Sequence, residues 1–495
     1  MQKYQHIFDT THLQDDLKRR SLRSGAVTMG SQGVMFVLQL SSTMILARIL
    51  SPADYGINGM AVAITGFAHM FSTLGLSTAT VQRAEINHEQ VSTLFWINVA
   101  IGCLLTLIVA LISPMAAAFY GVPDLLWVML SLSAMFVING FSVQHSALLR
   151  RQMLFFDVAK IQIVSAVLGL SVAIIFGVAG FGYWALVLNS LTMTISMTCG
   201  YWMLCRWIPG KPKISTEVKS MVKFGSDIVG FNVINYLARN LDNVLIGKFH
   251  GATSLGYYSK AYQLLMMPLT NLREPLVSVA IPALSRLQNE PDAFRAYYLK
   301  CLSMLSFLTL PIVAFMFVGS DELVMFFLGP QWVEVSILFK ILAAAALVQP
   351  LSGTVSMVLL STGRSRILLY IGVFSSICIC FSFVIGLPWG AKGVATGYAV
   401  VNYLILFPVL YLSFKSTKIS IFDFFKSISR PIIVSILTIV LYIVFIDNIF
   451  SYHIFISLIF YFLIFSITYF LLFLIFGGKK DLLEYRDYCY LVFKK

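Results

Sequence analysis

The chain has 495 residues, 58% of them hydrophobic and 12% charged, with a mean hydropathy of +0.84. Soluble domains carry about 45–50% apolar and about 25% charged residues, so this composition excludes a water-soluble fold and requires lipid to cover the surplus apolar surface. The net charge of +13 does not point to nucleic acid, because Lys and Arg gather in short loops between apolar runs, as the positive-inside rule requires.

The first 24 residues hold no apolar h-region, so no cleaved signal peptide is expected and residues 1–23 are expected to form a cytoplasmic N-terminal segment. A helix needs roughly 20 apolar residues to cross a hydrocarbon core of about 30 Å. Runs of that length follow near 24–48, 57–79, 92–119, 123–149, 155–178 and 181–205, giving an N-lobe over 24–205. A cytoplasmic linker at 206–221 leads to a C-lobe over 222–414, with spans near 222–247, 252–284, 294–318, 333–360, 364–387 and 391–414. Two further spans, near 429–446 and 451–476, fill a peripheral segment at 415–476, and a cytoplasmic tail occupies 477–495. A membrane barrel would show alternating segments of about ten residues instead, so the predicted class is an all-α polytopic membrane protein of about 14 transmembrane helices.

With both termini inside, only Arg48, Lys248 and Lys392 of the 35 basic residues fall on the far side, and Arg239, Lys260, Arg273 and Lys340 fall within spans. The rest are cytoplasmic, a bias that a miscount by one span would destroy. An internal repeat divides the spans. Residues 47–56 (Ala-Arg-Ile-Leu-Ser-Pro-Ala-Asp-Tyr-Gly) align without gaps on 247–256 (Gly-Lys-Phe-His-Gly-Ala-Thr-Ser-Leu-Gly). Each segment closes an odd-numbered span with a basic residue and is read as turning into the next at its glycine. An even number of spans per half makes the repeats parallel. From Tyr398 to Phe476 there is no glycine. Small residues let transmembrane helices pack closely, so the final two spans read as peripheral and lipid-facing.

No catalytic motif appears, and no exported loop is long enough for a catalytic domain, so no enzyme activity and no catalytic residues are expected. The seven cysteines lie in or beside apolar runs without metal-ligand spacing, so no metal is expected. The intramembrane charges are the informative feature, since each costs at least about 2.5–3.5 kcal/mol at the bilayer centre and should face a cavity or a partner. The seventh span holds Asp227, Asn232, Asn235, Arg239 and Asp242, of which 232, 235, 239 and 242 share one helical face. The eighth holds Lys260, with no acidic residue within a turn, then Arg273 and Glu274; the tenth holds Glu334 and Lys340. The first six spans offer little beyond His69 and His145. Local pairing, such as Arg239 with Asp242 at i+3, is the competing account of these charges. Pro268, Pro275 and Pro282 recur every seven residues in the long eighth span, placing three potential kinks on nearly one face as a hinge; tilt that absorbs surplus length is the competing account.

The turn at 46–56, the segment Asn240-Leu241-Asp242-Asn243-Val244-Leu245-Ile246-Gly247-Lys248 with Leu255-Gly256-Tyr257-Tyr258, and Pro282-Ala283-Leu284-Ser285-Arg286-Leu287-Gln288 resemble motifs of the Wzx-type flippases. These form the polysaccharide transporter branch of the multidrug/oligosaccharidyl-lipid/polysaccharide exporter superfamily, and the likeness, over roughly 22–415, is strongest to colanic-acid exporter-like members. The resemblance implies two pseudo-symmetric six-helix lobes around a central cavity, with the last two helices flanking them. It implies a bacterial inner-membrane flippase that moves undecaprenyl-pyrophosphate-linked oligosaccharide repeats by alternating access. Expected partners are the lipid-linked oligosaccharide, membrane lipid, and the polysaccharide polymerase and chain-length machinery. Arg239, Lys260, Arg273 and Lys340, with Arg48 and Lys248 at the equivalent turns of the two halves, are the candidate cations for the headgroup. Asp227, Asp242 and Glu274 are the candidates for coupling to a proton or sodium gradient, with no other cofactor expected. A multidrug or cation antiporter, a peptidoglycan-precursor flippase, and a membrane polymerase or ligase are the alternatives.

Overall fold

A computed structural model of the protein describes Phe8 and residues 17–72, 76–83, 85–213, 216–415, 417–445, 454–478 and 481, without the side chains at 17–23, 26, 216–235, 237, 238, 445 and 454–457. Most of the N-terminal segment and the tail beyond 481 therefore lie outside the described residues. Every regular element among those described is helical.

The first repeat segment shows why its motif is built as it is. α1 (Leu17–Ile49) stops at Ile49, and α2 (Pro52–Phe71) starts at a capping box. The Asp54 amide donates to Ser51 Oγ at 3.3 Å, and the Ser51 amide and hydroxyl donate to Asp54 Oδ2 at 2.8 and 2.7 Å. Pro52 occupies the first helical position, where its missing N–H costs nothing. Ser-Pro-Ala-Asp thus satisfies a helix start with its own atoms.

Then come α3 (Leu76–Gln82), α4 (His88–Tyr120), α5 (Asp124–Gly140), α6 (Val143–Arg151), α7 (Phe155–Val178), α8 (Trp184–Cys205) and α9 (Thr216–Arg286). α9 leaves helical φ/ψ at Gly251 (φ 79°, ψ 177°). A Cβ on Gly247 would lie 3.2 Å from Leu255 Cδ2, whereas eight residues of straight helix would hold those positions about 12 Å apart. The chain therefore reverses at Gly251, and α9 is two limbs, 216–250 and 252–286. Pro268, Pro275 and Pro282 stay inside the second limb, and the residue that breaks the helix is Gly251.

The repeat segments meet. A Cβ on Gly56 would overlap the carbonyl of Ala252, and a Cβ on Gly256 would overlap the carbonyl of Pro52. Each glycine rests on the first turn of the other copy. The sequence reading made these glycines the turns. They are instead the crossing points, and the turns fall five residues earlier, at Ser51 and Gly251.

The second limb is followed by α10 (Pro291–Val318), α11 (Ser320–Phe327), α12 (Val333–Ala346), α13 (Gln349–Ser352), α14 (Val355–Ser361), α15 (Ser365–Gly386), α16 (Gly390–Phe414), α17 (Ile421–Phe445) and α18 (Ile454–Phe473). Nine stretches among the described residues are long and apolar enough to cross a membrane, or ten with the bent pair α5–α6. One of them, Ser365–Phe414, contains both α15 and α16; together with α8 and the two limbs of α9, which are not among those stretches, the long helical segments number 14 among the described residues.

Two compact units emerge, Met1–Gly256 and Tyr257–Lys495. In the first, the 206–213 segment of the linker is strapped to the start of α4. The Gly210 amide donates to Ser92 Oγ at 2.9 Å, Trp96 Nε1 to the Gly210 carbonyl at 2.9 Å, and the Lys213 amide to Thr93 Oγ1 at 2.8 Å. Trp207 is fully buried among Phe95, Leu148, Tyr201 and Cys205. In the second unit, α17 and α18 dock on α10. Arg295 donates to both oxygens of Asp423 at 2.9 and 2.5 Å, and Phe307 and Phe315 of α10 pack on Tyr469, Phe473 and Phe465 of α18. Aromatic rings fill here the role that small residues play elsewhere. Ile433, Ile436 and Val440 on α17, and Ile459, Leu463 and Phe470 on α18, are exposed and present an apolar face.

Candidate functional site

The polar interior of the second unit is assembled around a break. The sequence reading took 333–360 as one span; the chain divides it into α12, α13 and α14. Between them the backbone tightens to i→i−3 bonds, from the amides of Val348, Leu351, Thr354 and Met357 to the carbonyls of Ala345, Val348, Leu351 and Thr354, at 3.0–3.2 Å. Pro350 cannot donate, which removes one rung of the α-ladder, while the amides of Ser352 and Gly353 keep i→i−4 bonds to the carbonyls of Val348 and Gln349 at 2.9 and 3.1 Å. A stretch of this kind within a helix often marks a functional hinge, and interrupted spans are where transporters build binding sites.

Arg273, half-buried on the second limb of α9, lies on that break. A Cβ on Gly353 would be 2.8 Å from its Cζ, 3.0 Å from Nη2 and 3.1 Å from Nε, so the flat of the guanidinium rests on the glycine. Beside it, Gln349 Nε2 donates to the Tyr398 hydroxyl at 2.5 Å, and the Tyr398 ring meets that of Tyr262 edge-on at 6.3 Å. Lys260, on the same limb, is buried and donates to Gln263 Oε1 at 2.9 Å. Glu274 is exposed. Arg273 lies thirteen positions beyond Lys260 on one helical limb, about 20 Å along the axis, so one diphosphate cannot touch both at once.

Lys340 sits elsewhere. Its ammonium pairs with Asp321 Oδ2 of α11 at 2.7 Å, both partners well exposed, and Glu334 of α12 pairs with Lys392 of α16 at 3.5 Å. Such pairs contribute little energy in water, but they join three helices at one end of the unit.

In the first unit, Lys248 donates to the Phe119 carbonyl in the last turn of α4 and stands 4.9 Å over the Phe119 ring. A cation at a helix C-terminus satisfies orphan carbonyls and complements the dipole, so Lys248 acts as a cap where it stands. Arg48 is exposed in the last turn of α1 and Arg239 is exposed on the first limb of α9. Asp242 is buried, and its Oδ1 accepts from the Asn243 amide at 2.7 Å. The side chain of Asp227 lies outside the described residues. His145 is a core residue: it stacks on Trp202 at 4.2 Å and its Nε2 lies 3.0 Å from the Trp207 carbonyl.

Gly353, Gln349 and Tyr398 escaped the sequence reading. The signal for them was present in Gln-Pro-Leu-Ser-Gly-Thr at 349–354, a Pro and a Gly within five residues of an apolar run.

A family model described as polysaccharide biosynthesis protein matches residues 45–337. The teichuronic acid biosynthesis protein TuaB of Bacillus subtilis is 26% identical over 84% of this chain and 87% of its own length. The lipopolysaccharide biosynthesis protein WzxC of Escherichia coli is 24% identical over 86% of this chain and 89% of its own. Among solved structures, the lipid II flippase MurJ in an inward closed conformation superposes with a TM-score of 0.71 at 17% identity, covering 94% of this chain and 99% of that one. The fold is therefore that of a multi-pass membrane transporter.

Proposed function

This chain belongs to the polysaccharide biosynthesis protein family, and on that premise we propose that it flips an undecaprenyl-pyrophosphate-linked oligosaccharide repeat across the bacterial inner membrane. The observation that carries the reading is Arg273, a guanidinium inside an eighth span, laid against the break of a tenth span. A planar fork of donors matches a phosphate better than any other side chain.

Lys260 and Arg273 act in turn rather than together, because about 20 Å of helix separates them. The pyrophosphate passes from one cation to the other as access alternates between the two sides, while the prenyl tail stays in lipid. No covalent bond is made or broken. Asp227, Asp242 and Glu274 are the carboxylates available to couple this movement to a proton or sodium gradient. Both termini face the cytoplasm, as the basic-residue bias supports, and the polymerase and chain-length machinery take up the cargo on the far side. Lys340, Lys248 and Arg48 serve their own ends of the helices and stand outside the cargo path.

The test replaces Lys260 or Arg273 by Gln and measures surface polysaccharide per unit of membrane-inserted protein, together with the pool of unflipped lipid-linked repeat. Both variants should insert, since removing an intramembrane charge lowers insertion cost. Export should fall and the repeat should accumulate in the cytoplasmic leaflet. Normal export from the double variant at wild-type abundance would remove the cationic path and turn attention to a carboxylate-based antiporter.

A further inference from the structure

Gly353 is a glycine without a backbone reason to be one. Its φ of −62° and ψ of −21° are ordinary right-handed helical values that any residue adopts, and alanine is the better helix former. What excludes a side chain is a neighbour: the nearest atoms to a Cβ at that position are Cζ, Nη2 and Nε of Arg273, at 2.8, 3.0 and 3.1 Å. These three atoms come from one planar group, so the guanidinium lies flat on the glycine with its opposite face turned away. We propose that Gly353 is a positioning residue for the anion site: it is the seat on which the Arg273 fork is held at the break of the tenth span, ready for a pyrophosphate. The proposal rests on the reading of Arg273 as the pyrophosphate contact.

The seat makes physical sense of two features together. An arginine side chain has several rotatable bonds, and freezing them when a ligand arrives weakens binding. A guanidinium already laid against backbone loses less freedom when a ligand arrives, and its planar fork suits bidentate contact with phosphate. Glycine supplies the place for this, because at 353 it leaves bare backbone where any other residue would present a Cβ to the fork. An alanine at 353 would push the fork away without changing the charge of the site. The side chain is the flexible partner, so the arginine moves and the backbone stays.

The experiment is a two-by-two set of full-length proteins, Gly or Ala at 353 and Arg or Gln at 273, purified in detergent. Each is titrated with farnesyl pyrophosphate, with farnesol as the uncharged control, and each is melted without ligand. R273Q should weaken farnesyl pyrophosphate binding by about tenfold or more, the worth of one charge-assisted bidentate contact. G353A should weaken it in the same direction while farnesol binding stays unchanged, and the double variant should bind no worse than R273Q. Thermal stability should reverse sign: G353A lowers the melting temperature with Arg at 273 and leaves it equal or higher with Gln, where the crowding atoms are gone and only the better helix former remains. Failure of G353A to accumulate, with recovery in the double variant, supports the same conclusion. Equal losses in both backgrounds, in binding or in accumulation, would overturn the seat and make Gly353 a backbone requirement. Unchanged binding by G353A beside a weakened R273Q would also overturn it while leaving the pyrophosphate reading standing. Unweakened binding by R273Q would overturn that reading, and the positioning role with it.

Discussion

Replacing Gly251 by alanine isolates a backbone cost. At φ 79° and ψ 177° the residue occupies a region open essentially to glycine alone, and no heavy atom lies within 4 Å of where a Cβ would stand. The substitution therefore clashes with nothing beyond its own chain, and its whole penalty is torsional, about 1–3 kcal/mol. On the scaling of soluble domains of 150–250 residues, that is a fall of roughly 2–12 °C in melting temperature. Gly121, which ends α4 at φ 71° and ψ 26° with equally open surroundings, is the matched control, since a left-handed L-residue costs about 1–2 kcal/mol. Both variants are melted in one detergent at one scan rate, because membrane proteins unfold irreversibly and the midpoint then depends on the rate. G251A should fall at least as far as G121A. A G251A protein that melts with the wild type while G121A falls would mean that the reversal is not made at residue 251.

The reversal also predicts a cross-link. In a background stripped of native cysteines, cysteines at 247 and 255 should form a disulfide on mild oxidation, because the two positions face each other across Gly251; a continuous helix would hold them about 12 Å apart, beyond any disulfide. Absence of the bond under oxidation that links a known adjacent pair would contradict the hairpin. At the other end of the chain, Asp423 both caps α17 through Ser420 and holds Arg295. D423A should destabilise by about 1–3 kcal/mol and S420A, which removes only the hydroxyl that accepts from the Asp423 amide, by about 1 kcal/mol. Equal melting of the two variants would show that the Arg295 contact adds nothing.

How much of this was legible depended on whether the deciding contact was local. Apolar runs of membrane length are local, so 155–178 was read with the bounds that α7 has, and the read span at 391–414 differs from α16 by one residue. The capping box at 51–54 is local too, and its letters were in the motif, but its function as a helix start was not drawn from them. The break in the tenth span was missed because an apolar window averages across Pro350 and Gly353. Lys340 was read as an intramembrane cation because its partner, Asp321, lies 19 residues away in the short helix α11. The seat for Arg273 joins positions 80 residues apart, and nothing in either segment alone announces the other. The repeat at 47–56 and 247–256 was visible as faint similarity, whereas its physical reason, two glycines each resting on the other copy's first turn, needed the coordinates.

That mutual rest has a consequence for how the protein is made. Two hundred residues separate Gly56 from Gly256, and a ribosome adding about 5–20 residues per second takes roughly 10–40 s to supply them. Through that interval the second span stands in the bilayer with its glycine face uncovered. It can wait there because Ser51 and Asp54 close the helix start with their own hydrogen bonds, so its first amides need no partner from a later part of the chain. The later copy has no such box. Its turn is made by Gly251, and by the time it emerges the surface it rests on is already inserted. The unequal letters of the two repeats thus suit the order in which translation delivers them: the early turn is self-sufficient, and the late one arrives at a partner already in place.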